Sequence, residues 1–401
     1  MGCGRPASMI GMKPFLFATG VLALGLTGCI SVYHSDRHGR PDWSEDKAEA
    51  RQSRTGAVPG NVAAVVIANR SGRVSVTGTD EDFGWSWELV CWGKDAATVG
   101  QRLSGFQLET RQEGDRWFVT LVPEVSPGVQ FRFESHLAVR VPRTARVEVQ
   151  NAFGPVQAAS VAGVTIRNHN GEVRVSSVPG PVEVANSFAA VEVDDVGAAT
   201  LANQNGALRV TRINGPLDAR TRFGPLTVLE VTGDAKLHNQ NGAIEANAIG
   251  GSLNATTAFG PLRVEGVGGT AELRNQNGLI AASAVAGNLD ASTSFAPLDL
   301  DARSAVINAR NQNGRIRIVA QSDDLEWIEA TTAFSPIEVI LPGTVRPLVR
   351  AETSFGKVRS DFPVLMWDSL PEAEFKAEAT RPKLSLRTRN ADVHLRRSAN
   401  P

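Results

Sequence analysis

The stretch that decides the fold is residues 260–277, GPLRVEGVGGTAELRNQN. Leu262 and Val264 alternate with Arg263 and Glu265, the period of two that marks a half-buried strand. Gly266-Val267-Gly268-Gly269 then predicts a turn, a second alternating run follows at Ala271 and Leu273, and Asn275-Gln276-Asn277-Gly278 predicts another. The unit from Gly260 to Asn277 therefore holds two short strands and two turns.

The same letters return at the same phase along the chain. NQNG stands at 203–206, 239–242, 275–278 and 311–314, and NHNG at 168–171. Between these copies lie FGP at Phe153, Phe223 and Phe259, FAP at Phe295 and FSP at Phe334, with Phe188-Ala189-Ala190 where a further copy is due. Gly206, Gly224, Gly242, Gly260, Gly278, Ala296 and Gly314 follow one another at a single constant step. Asn-Gly between apolar alternations also signals a hairpin, so an antiparallel meander or propeller has to be weighed. A meander mirrors its residue types about each turn, whereas here they recur unmirrored, which is how a parallel β-helix stacks like on like. The expected fold is all-β: a parallel β-solenoid of about 18 residues per coil, with capping β regions at both ends. Parallel crossovers favour right-handed winding, and that hand is expected.

Stacking assigns roles to the repeated residues. The pairs Asn170-Gly171, Asn205-Gly206, Asn241-Gly242, Asn277-Gly278 and Asn313-Gly314 are read as structural turns. In that reading the asparagine amide, as at Asn277, bonds backbone groups of its own turn, and the glycine takes a left-handed conformation. Phe153, Phe223, Phe259 and Phe295 are read as corner residues filling space against neighbouring coils. A buried ring of that kind predicts a loss of roughly 3–5 kcal/mol for Phe259→Ala. Pro225 and Pro261 cannot donate a ladder bond and should stand at strand starts.

The bulk composition agrees. The 401 residues carry 41 Lys+Arg against 42 Asp+Glu, so no net field draws the chain to nucleic acid. The 38 glycines suit short strands joined by tight turns. Three cysteines occur, at 3, 29 and 91.

Near the amino terminus, Lys13 precedes PFLFATGVLALGLTGC, an apolar run of signal-peptide length and short for a membrane span. Met9 or Met12 as the start gives a more compact basic segment ahead of it than Met1. The run ends in Leu26-Thr27-Gly28-Cys29, which resembles the bacterial lipobox. That resemblance implies cleavage before Cys29, lipid on its sulfur and amine, and a membrane anchor stabilised by about 0.8 kcal/mol per buried methylene. Ile30, where inner-membrane retention often uses aspartate, implies the outer membrane of the cell envelope. Processing would leave Cys91 as the one thiol, expected to be buried between Val90 and Trp92. The expected organisation is a signal peptide at 1–28, a flexible tether at 29–60, a capping region at 61–149, regular coils at 150–320, and final coils with a cap at 321–401.

Both ends depart from the regular repeat, as an open solenoid end must to avoid edge pairing. Asn69-Arg70-Ser71-Gly72 reads as a degenerate first turn, DAATVGQRLSGFQLE suggests a short helix, and Arg389-Asn390-Ala391-Asp392 reads as a final turn. With the N-R-S-G-R-V-S-V segment, L-A-V-R-V-P at 137–142, the N-x-N-G coils and the closing S-L-R-T-R-N-A-D-V-H-L, the chain resembles the bacterial adhesin-like β-solenoid family, largely of unknown function. The resemblance covers most of 61–401 and departs at Ala391, where the closing turn of that family usually has glycine. It implies architecture and no catalytic residues.

A search for chemistry finds little. The six histidines show no metal-ligand spacing: His34 and His38 lie in the expected tether, and His169 takes the slot of Gln204, Gln240, Gln276 and Gln312. Asp194-Asp195 and Asp323-Asp324 read as solvated turns instead of paired catalytic carboxylates. Trp85, Trp87, Trp92 and Trp117 read as an aromatic core of the cap ahead of a sugar-stacking platform. No metal and no cofactor is expected. The expected function is a non-enzymatic, lipid-anchored monomer that meets the membrane through Cys29, binds no nucleic acid, and displays outward rows such as Arg263, Glu265, Glu272 and Arg274 to an envelope protein or glycan. The alternatives are a self-assembling bactofilin-like scaffold and, further off, a carbohydrate-active β-helix enzyme.

Overall fold

The computed structural model describes residues 46–123, 132–365 and 382–398. The Cys29 region and the start of the expected tether lie outside these. The regular part is a parallel β-solenoid of about 11 turns with about 18 residues per turn. Strands β8 to β29 (146–341) make these coils, each coil giving one strand to a first sheet and the next to a second sheet facing it. In one coil, β22 (Ala271–Asn275) and β23 (Ile280–Val285) show the rule. Ala271, Leu273, Ile280, Ala282 and Val285 point inward and are buried, and Glu272 and Arg274 point out.

Neighbouring coils pair in parallel with like on like: Leu262 with Ile280, Val264 with Ala282, Val267 with Val285. The core is thus a set of aliphatic columns between two sheets, each column shielded from water by the coils above and below. Pro225 and Pro261 sit one residue before β17 (Leu226–Val231) and β21 (Leu262–Val267), where no ladder donor is needed.

The predicted turn at Gly266-Val267-Gly268-Gly269 begins too early. Val267 is buried within β21, and the strand carries a bulge at Gly266, φ +72°. The same bulge position holds Ser177, Asp195, Arg212, Glu230, Ala248 and Ala284, all with φ between 52° and 60°. An extra outward residue resets the strand's parity, so that the last apolar side chain still enters the core.

Both ends are threaded. At the amino end, β2 (Ala64–Ala68) lies between β6 (Arg116–Pro123) and β8 (Arg146–Phe153). Its partner β3 (Val74–Thr79) lies between β7 (Phe133–Pro142) and β9 (Val156–Ala159). Antiparallel strands then close the edge: β5 (Phe106–Glu113) on β6, and β4 (Gly84–Gly93) on β7 with β1 (Ala48–Ala57) on β4. Strand β1 corrects the tether expectation, because ten residues assigned to a flexible link pair along the whole of β4. The predicted helix is α1 (Ala96–Ser104), its amino end capped by Asp95.

At the other end the chain doubles back. Strand β33 (Lys383–Arg387) inserts between β28 (Trp327–Thr331) and β30 (Leu348–Glu352). Strand β34 (Val393–Arg397) inserts between β29 (Ile337–Leu341) and β31 (Val358–Ser360), and the short β32 (Val364–Leu365) pairs outside on β30.

Candidate functional site

Three longitudinal features run along the coils, and each begins in one repeated residue. The first is internal. Asn275 continues the inward parity of Ala271 and Leu273 and is buried. Its Nδ2 donates to the Gly260 carbonyl of the preceding coil at 2.8 Å, and its Oδ1 accepts from the Gly278 amide at 2.9 Å. Asn239 and Asn311 do the same for their corners. In the coils between, Thr257 and Thr293 stand in this column and donate to Gly242 and Gly278 carbonyls at 3.2 Å.

The predicted role of the second asparagine is therefore corrected. Asn205, Asn241, Asn277 and Asn313 do not cap their own turn; each donates to a carbonyl of the preceding coil, 3.1–3.3 Å away. The glycines also divide. Gly171 and Gly206 have φ of 148° and 135°, but Gly242, Gly278 and Gly314 are outside the positive range. At Gly278 the constraint is space: a Cβ would lie 2.2 Å from the Gly260 carbonyl oxygen of the neighbouring coil.

That tight corner explains the second feature, which overturns the packed-phenylalanine expectation. Phe153, Phe223, Phe259 and Phe295 are exposed, as are Phe188, Phe334 and Phe355, with 43–80% of their surface open. Strand parity carried past Thr257 would put Phe259 inside, but the chain bends at the corner and the buried inner position goes to Gly260. The rings form one file. Phe153 and Phe188 pair on either side of Asn170, and Asn205 lies between Phe188 and Phe223. The alternation continues through Asn241, Phe259, Asn277, Phe295, Asn313 and Phe334, and Asn390 lies between Phe334 and Phe355. His169 stands edge-on to Phe153 and Phe188, with ring centroids 6.3 and 5.4 Å apart.

The third feature is a groove of about 810 Å³ along the first sheet, from Arg146 to Glu272. One wall is compact only at its centre, with Pro181, Ala198 and Pro216 between Arg146 and Asp234, and the other is polar, with Glu183, Thr200, Asp218, Lys236 and Asn254. Its floor is the backbone over buried Val182, Ala199 and Leu217. The groove crosses eight coils, about 34 Å at the usual strand spacing. Carboxylate, hydroxyl and amide groups along this wall offer hydrogen bonds to an extended polar ligand.

Elsewhere the outward charges pair between coils: Arg174 with Glu192 at 3.1 Å, Arg310 with Asp290 at 3.4 Å, Arg317 with Glu338 at 3.6 Å. Asp194 pairs with Arg212, while Asp195 occupies the bulge. Trp87 and Trp117 are buried in the cap, and the Trp87 indole donates to Ser135 at 2.8 Å. Trp92 donates to Glu49 and lies against Arg132. Cys91 is buried, and desolvation pushes its thiol from 9.0 to about 11. Among the described residues, no three His, Cys, Asp or Glu side chains gather as a metal site, and no helix is long and apolar enough to cross a membrane.

No family model matches the chain, and no curated protein does. Among solved structures it is similar to a "putative cell adhesion protein" from Clostridium sporogenes, with 8% identity over 87% of this chain and 100% of that one, TM-score 0.21. A "putative adhesin" from Parabacteroides distasonis gives 9% identity over 87% and 97%, TM-score 0.24. A "putative lipid binding protein" from the same organism gives 10% over 87% and 96%, TM-score 0.19. At these TM-scores the likenesses carry no weight; fold and site stand on the geometry above.

Proposed function

We propose that the chain is a lipid-anchored, non-enzymatic envelope protein, held at the outer membrane through Cys29, whose solenoid binds an extended hydroxyl-rich polymer along its first sheet. The observation that carries this reading is the groove over eight coils, with one wall that stays polar at level after level. A repeated level suits a repeated ligand, and a glycan strand meets carboxylates, amides and hydroxyls with its own hydroxyls better than a polypeptide does. The test is binding of the full chain in detergent to envelope polysaccharides, compared with Thr200→Trp, which fills the groove from an exposed position. The expected result is retention on a polysaccharide that falls at least tenfold in the variant. Equal retention of both proteins would remove the groove from the function.

A further inference from the structure

The exposed apolar surface of the described coils is concentrated. Leu229 and Val358 apart, the large apolar side chains that stand open to solvent are the seven phenylalanines of the corner file. A phenylalanine can bury about 150–250 Å², so seven rings roughly half exposed leave on the order of 700 Å² open. That exceeds the largest patch of a typical monomer, about 300–600 Å², and approaches the roughly 800 Å² per partner of a stable interface.

The flanks extend the patch. Beside the middle of the file runs a row of Ala190, Ala207, Pro225, Ala243, Pro261, Leu279 and Pro297, uncharged from 190 to 297, bounded by Glu172 and Arg315 and aligned by the ladder of the second sheet. On the other side stand Gln204, Gln240, Gln276 and Gln312, with Arg222 the one charge between 187 and 312 in that row. The whole chain carries a formal charge of only −1, so two copies meet little repulsion.

Spacing then selects the partner. Rings occur on every second coil, about 9.6 Å apart at the usual strand spacing; His169 stands between the first two, and each asparagine level from Asn205 onward leaves a gap one coil tall. A ridge of the same kind, reversed and shifted by one coil, places each of its rings in such a gap. The file begins and ends on phenylalanine and alternates throughout, so it reads the same in both directions, as a two-fold contact requires.

We propose that the phenylalanine–asparagine file is the seam at which a second copy of this chain docks antiparallel, the rings of the two copies interleaved. This replaces the monomer expected from the sequence and is independent of the groove, which lies on a different row of the first sheet.

Sedimentation equilibrium of the full chain in detergent tests the seam, with Phe259→Glu/Phe295→Glu as the variant, since both rings are more than half exposed and neither holds the core. The expected result is a dimer for the natural chain and half that mass for the variant, whose far-ultraviolet circular dichroism stays that of the natural chain while its melting temperature falls only by the loss of the dimer contact. Cross-linking sets the direction: Gln204→Cys chains mixed with Gln312→Cys chains should link to each other and not to themselves. A monomeric natural chain, a variant that stays dimeric, or links between 204 and 204 would each overturn the proposal. A monomer whose polysaccharide retention is lost in the variant would assign the file to a glycan instead.

Discussion

A side-chain amide buried in an aliphatic stack is costly unless its polar atoms are matched, and Asn275 shows how this chain matches them. Its amide satisfies a carbonyl of one coil and an amide of the next. Asn275→Ala strands both groups and should cost about 1–3 kcal/mol in a denaturant melt. Asn275→Thr should cost less than half of that, because Thr257 and Thr293 take this column in the adjacent coils. Equal losses for the two variants would show that volume, not hydrogen bonding, sets the cost. The asparagine that matters was legible in the sequence: the alternation Ala271, Leu273, Asn275 already points it inward. The turn signal of Asn277-Gly278 lies two residues further on. The phenylalanines were harder, since strand parity does not survive a corner at which the chain bends and Gly260 takes the buried position that parity would give to Phe259.

At the scale of one strand, the recurring bulge shapes the coil more than any single turn. Positive φ at Glu230, Ala248 and Ala284 costs a side-chain-bearing residue about 1–2 kcal/mol, against about 0.5–1 kcal/mol of extra chain entropy lost by glycine. Glu230→Gly should therefore stabilise the protein by about 0.5 kcal/mol, and Glu230→Val should destabilise it by more than about 1 kcal/mol. Thermal melts that rank the two variants in the reverse order would contradict the bulge. The constant period was visible in the recurring letters, but the bulge was not. Its residues are Ser, Asp, Arg, Glu and Ala as well as Gly266, so backbone conformation here is dictated by the coils above and below and leaves no residue signature.

Across the stack of coils, the ends show what a repeat cannot encode. Inserting β2 and β33 behind later or earlier strands buries the first and last parallel strands instead of leaving them as edges. The antiparallel pairs β5–β6 and β4–β7 then close the amino end against end-to-end stacking, which disfavours a filament built coil on coil. Long-range pairings of this kind follow from the tertiary fold and lie beyond local pattern. The interior coils, by contrast, were readable because each one repeats the environment of the last. Two copies joined side by side along a corner, each holding a polymer in its groove, would make a bivalent binder, and avidity would then exceed the affinity of either groove.

All of this depends on coils of about 18 residues stacking in parallel. Spin labels on cysteines placed at the exposed Gln204 and Gln312, with Cys3 and Cys29 replaced by serine and the labelled chain diluted in unlabelled protein, measure it by pulsed dipolar spectroscopy. Six coils separate the two positions, so parallel stacking predicts about 29 Å between the backbone sites. A meander would lay twice as many strands side by side over the same sequence, and a distance of about 57 Å would contradict the account.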